Sequence, residues 1–150
     1  MRQIITTTIL GMRLASIILI PYWVVLFIGT HTPSLRMPSF SNADKFYHFA
    51  AYAGLAFLMA WALPKHKHFA TRHLKVALLI CLFYGAFDEI TQLLVQGRQA
   101  DILDFVADLV GAVVGLAAYW VIRKRIRIQS IHVQAPMLDG SRKLSDAGAR

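Results

Sequence analysis

Between Tyr84 and Leu116 five carboxylates sit inside apolar sequence, Y-G-A-F-D-E-I-T-Q-L-L-V-Q-G-R-Q-A-D-I-L-D-F-V-A-D-L-V-G-A-V-V-G-L, and no other feature constrains the fold as tightly. Asp88, Glu89 and Gln92 fall late in one helix-length apolar run, and Asp104 and Asp108 fall early in the next. Gly97, Arg98 and Gln99 read as the turn between them. Two antiparallel helices joined there carry all these groups to the same end. A charge at the centre of a membrane helix costs about 2.5 to 3.5 kcal/mol on insertion scales, so an ionisable residue in such a segment marks a functional site by default.

The rest of the chain supports a membrane reading. The apolar fraction is 57%, against about 45 to 50% in soluble domains. A net charge of +8 in a soluble chain suggests nucleic acid, but here Lys and Arg are confined to short segments between apolar runs, so lipid is the expected partner and nucleic acid is not. The pattern predicts an all-α integral membrane bundle of four transmembrane helices, at about residues 14–30, 44–63, 76–95 and 103–122. Residues 1–13 form the N-terminal segment, and 123–150 a basic tail expected to be disordered. The first run exceeds a usual signal-peptide core and is followed by no small-residue cleavage site, so it reads as an uncleaved span with a kink at Pro21. Cys81 lies mid-run and reads as a small buried apolar residue. The loop Lys65–Lys75 carries His66, His68 and His73, yet no cysteines at finger spacing, so it reads as a phosphate-facing basic loop and no metal or cofactor is expected. Gly111 and Gly115, four apart, let a neighbouring helix approach closely.

Charge sets the orientation. With four spans, Arg2, Arg13, Lys65, Lys67, Arg72, Lys75, Arg123, Lys124, Arg125 and Arg127 lie on one side, and Arg36, Lys45 and Arg98 on the other. The positive-inside rule then places both termini in the cytoplasm and the turn at Gly97 outside.

A polar layer results on the outer side. Asp44, His48 and Tyr52 recur at i, i+4 and i+8 on one face of the second span. They join Lys45, Asp88, Glu89, Gln92, Arg98, Asp101, Asp104 and Asp108 from the following segments. Adjacent helical positions point about 100° apart, so only one of Asp88 and Glu89 is expected to face the centre. His48 with Glu89 or Asp104 are the candidates for acid–base chemistry. Asp44, Lys45, Tyr52, Asp88, Gln92, Arg98, Asp101 and Asp108 are the candidates for binding, Arg98 and Lys45 as holders of phosphate or carboxylate.

These residues resemble the VanZ-like family of small bacterial membrane proteins, named for a protein associated with glycopeptide (teicoplanin) resistance. The match comprises D-K-x-x-H-F-x-x-Y at Asp44 to Tyr52, E-x-x-Q at Glu89 and Gln92, G-R-x-x-D-x-x-D at Gly97 to Asp104, and the pair Gly111 and Gly115, over about residues 40–120. The resemblance implies a place in the inner membrane and the bacterial envelope; it implies no defined reaction. Asp108 stands where many relatives have Asn, which adds a carboxylate.

Four functions fit this layer. It binds or modulates a membrane lipid, a lipid-linked cell-wall intermediate or a membrane protein partner; it catalyses a reaction on such a lipid, without H-E-x-x-H or G-x-S-x-G to supply a recognised centre; it relays protons through Asp88 and Asp108, which in so small a chain requires a homo-oligomer; or it is a salt-bridge network locking helix ends.

Overall fold

The computed structural model describes residues 8–9, 12–32, 42–64, 71–96 and 100–148, with side chains from 14 to 126 within those ranges. Four helices follow in chain order: α1 (Leu14–His31), α2 (Ala43–Ala62), α3 (Arg72–Gln92) and α4 (Ile102–Gly148). Among the described residues the remaining regular structure is a two-residue antiparallel pair, β1 (Thr8–Ile9) with β2 (Met12–Arg13), leading into α1. The architecture is therefore all-α, as expected.

Local chemistry sets the helix ends. Asn42 caps α2 in the left-handed region, φ 60°, which Asn tolerates better than most residues. At the other end Leu63 is extended (φ −65°, ψ 142°), as the residue before Pro64 must be. Asp101 caps α4, its Oδ1 accepting from the Leu103 amide at 2.9 Å. α1 continues through Pro21 as one helix. α4 runs to Gly148.

Two of the helices, Leu14–His31 and Ile102–Ile126, are long and apolar enough to cross a membrane. Asp44, Lys45 and His48 dilute the apolar character of α2, while Arg72, Lys75, Asp88 and Glu89 dilute that of α3. The surface completes the picture. Large apolar side chains are exposed on every helix, including Val25, Phe46, Phe83, Ile90, Leu94 and Val113, whereas His48, Asp88, Glu89, Gln92, Asp104 and Asp108 are buried. Water would penalise that distribution and hydrocarbon favours it.

The chain divides into two compact units, Met1–Ala117 and Ala118–Arg150. In the first, glycines set the helix separations. A Cβ on Gly111 would lie 3.1 Å from the Phe49 Cα and overlap its carbonyl oxygen, and a Cβ on Gly115 would do the same at Ala53, 3.0 Å from its Cα. The G-x-x-x-G of α4 thus rides directly on the backbone of α2. Gly54 likewise leaves room for the Tyr22 ring, whose hydroxyl donates to the Ala51 carbonyl at 2.8 Å and ties α1 to α2. In the second unit Arg123 donates to the Tyr119 hydroxyl at 2.8 Å, and the Lys124 ammonium stands 5.2 Å from the Trp120 ring centroid.

Candidate functional site

Close approach of α2 and α4 at Phe49 and Gly111 brings His48 against Asp108. The His48 Nδ1 lies 3.0 Å from Asp108 Oδ1, with the side chains only 4% and 2% exposed. With Asp108 ionised, the imidazole donates from Nδ1. Glu89 reaches the same place from α3, its Oε1 4.0 Å from His48 Nδ1. Its other oxygen, Oε2, accepts from the Asp101 amide at 3.0 Å, which fixes the carboxylate against the start of α4. Among the described residues, Glu89 Oε1 and Asp108 Oδ2 have no hydrogen-bond partner, and neither has the hydroxyl of the fully buried Tyr52. The Tyr52 ring stacks on Tyr84 with centroids 5.9 Å apart. Gly85 on α3 makes space for Asp108, since a Cβ there would stand 3.3 Å from Asp108 Oδ2.

A rim of charge surrounds this centre. The Lys45 ammonium donates to Asp101 Oδ2 at 2.8 Å and to Asp104 Oδ1 at 3.2 Å. The Lys45 hydrogen bond and the Leu103 amide hold the Asp101 carboxyl below the usual range. Lys45, expected from sequence to hold phosphate or carboxylate, is therefore committed to two carboxylates of the chain itself. Asp104 is engaged by Lys45, and Asp108 provides the direct partner of His48; sequence spacing pointed to Asp104 or Glu89. Two donor sets lie within 4.8 Å internally: His48, Glu89 and Asp108, all buried, and Asp44, His48 and Asp104, of which Asp44 is exposed.

Asp88 and Glu89 diverge as helical geometry requires. Asp88 is fully buried and turns towards α1: Thr30 donates to its Oδ1 at 2.9 Å, and Gln92 donates to its Oδ2 at 2.9 Å. His31 Nδ1 is 3.7 Å from Asp88 Oδ1, and His31 Nε2 is 2.9 Å from the Thr91 hydroxyl. α1 thus contributes Thr30 and His31, which sequence reasoning left out of the polar layer. Thr30-His31 closing an apolar run was the available signal. Arg98 lies outside the described residues, as do the Pro-rich stretch at 33–41 and the histidines His66 and His68.

The layer therefore gathers polar groups from all four helices at one end of the first unit, with acceptors in excess. No curated protein and no solved structure matches the chain significantly. A family model described as VanZ/LLP1 matches residues 3–123, the whole region that carries the four apolar segments and the polar layer. The chain belongs to the VanZ-like family of membrane proteins.

Proposed function

We propose that the polar layer is a recognition site for the headgroup of an envelope lipid or lipid-linked cell-wall intermediate, on the outer side of a four-span inner-membrane protein with both termini cytoplasmic. The observation that carries this reading is the set of buried acceptors left open, Glu89 Oε1 and Asp108 Oδ2, at an end where all four helices present polar groups. Buried polar atoms are nearly always paired, and an open acceptor costs about 1 to 3 kcal/mol. A ligand that brings donors or positive charge removes that cost. Tyr52 and Gln92 add neutral hydrogen-bonding groups, and Arg98, outside the described residues, is the further cation that the sequence offers between α3 and α4. The Tyr119, Trp120, Arg123 and Lys124 cluster suits a membrane interface, where aromatic and basic side chains anchor helices. Any link to glycopeptide resistance would follow from recognition of such an intermediate.

A second reading has one favourable observation. His48 oriented by Asp108, with Glu89 at 4.0 Å, is an acid–base arrangement for a reaction on the same lipid. Asp104 drops out of that set because Lys45 holds it.

Native mass spectrometry with lipid analysis tests the proposal, on the purified protein and on Arg98→Ala. A specific phospholipid or polyprenyl-linked lipid on the unsubstituted protein, lost from a variant of equal thermal stability, is the expected result. Bare protein in both cases, equally folded, overturns headgroup recognition.

A further inference from the structure

We propose that His48, Glu89 and Asp108 form a binding site for one divalent first-row transition-metal ion. The three residues come from three helices, α2, α3 and α4, and their donor atoms all lie within 4.8 Å of one another. His48 Nδ1 stands 3.0 Å from Asp108 Oδ1 and 4.0 Å from Glu89 Oε1. Donors about 2.0 to 2.2 Å from a common ion are separated by roughly 3 to 4 Å, so the set needs little movement to close around one.

A second, independent observation points to a ligand here. Glu89 is only 7% exposed, and its Oε1, 4.0 Å from His48 Nδ1, has no hydrogen-bond partner among the described residues; Asp108, 2% exposed, also keeps one oxygen unpaired among them. Among the described residues, two buried carboxylates beside one imidazole carry negative charge that Lys45, bonded to Asp101 and Asp104, does not offset. A dication neutralises both carboxylates at once. On binding it takes the place of the Nδ1 proton, which moves to Nε2 so that the imidazole stays neutral, and the hydrogen bond between His48 and Asp108 becomes two coordination bonds. One imidazole nitrogen and two carboxylate oxygens suit Zn²⁺ or Mn²⁺ better than Mg²⁺ or Ca²⁺, whose sites are built from oxygen alone. Three protein donors leave a coordination position open, as in zinc sites that bind an exchangeable group. The alternative set built on Asp44 and Asp104 is the weaker site, because Asp44 is exposed and Asp104 is bonded to Lys45. The ion takes up the same open acceptors, Glu89 Oε1 and Asp108 Oδ2, on which headgroup recognition relies, and its test reads metal content independently of any bound lipid.

The test uses the full chain in detergent, stripped with chelator, dialysed against Zn²⁺ or Mn²⁺ and then washed, with bound metal read by inductively coupled plasma mass spectrometry. About one ion per chain is expected, with a rise in unfolding temperature that chelator reverses. Glu89→Gln keeps an acceptor for the Asp101 amide and is expected to lose the ion while remaining folded. Asp104→Asn is expected to retain it. No retained ion of either metal, or equal retention by Glu89→Gln, overturns the site; loss only in Asp104→Asn overturns the assignment of ligands.

Discussion

Gly111→Leu is expected to be among the most damaging single substitutions in the protein. The new side chain meets the Phe49 carbonyl of α2, which is backbone and cannot rotate away. Overpacking costs about 1 to 3 kcal/mol where side chains can adjust, and here the upper end applies because two helices must separate. Their separation also pulls His48, one residue before Phe49, from Asp108, one turn before Gly111 on the facing helix. Loss of stability and loss of the polar centre should therefore appear together. Cys81 provides the readout: it is the single cysteine, 2% exposed, so its reaction with a thiol-reactive dye on heating reports unfolding without an added probe. A midpoint about 10 °C lower is expected, at the roughly 2 to 4 °C per kcal/mol typical of chains this size. Gly111→Ala should move it in the same direction by less.

His48→Leu is expected to cost about 3 kcal/mol. The substitution leaves Asp108 buried with both oxygens unpaired beside Glu89. An orphaned neutral acceptor costs about 1 to 3 kcal/mol, and an uncompensated buried charge about 3 to 5 kcal/mol. Asp108→Asn removes the charge while keeping an acceptor for His48, and should be nearly neutral or stabilising. Equal losses in the two variants would show that the imidazole, rather than the burial of Asp108, determines the energetics. The Cys81 assay distinguishes these outcomes in the same experiment.

Sequence carried the four helices and most of the described members of the polar layer, because both depend on periodicity. Helical spacing placed Asp44, His48 and Tyr52 on one face, and G-x-x-x-G marked the contact now seen between α4 and the Phe49 and Ala53 backbone of α2. The partner of His48 was not legible. Asp104 and Asp108 are both one helical turn from plausible contact with His48, and which of them meets it depends on the rotation of α4 about its own axis. That rotation is fixed by Gly111 and Gly115 docking on α2, a tertiary effect. Spacing leaves Lys45 two uses, as a holder of phosphate or carboxylate and as a member of a salt-bridge network; the structure pairs it with Asp101 and Asp104. Thr30 and His31 were missed because they end an apolar run and acquire meaning only through Asp88, 58 residues away from Thr30 in sequence.

The central claim is that the polar layer faces outward at the end of four membrane helices, and accessibility of engineered thiols tests it most directly. In a Cys81→Ala background, Asn42→Cys stands at the start of α2 beside the layer, and Thr71→Cys stands at the start of α3 on the opposite side. Intact cells treated with a membrane-impermeant maleimide should label Asn42→Cys and leave Thr71→Cys unlabelled until the membrane is opened. Labelling of Thr71→Cys alone would invert the topology and place the layer in the cytoplasm; labelling of both from outside would show that α2 does not cross the membrane.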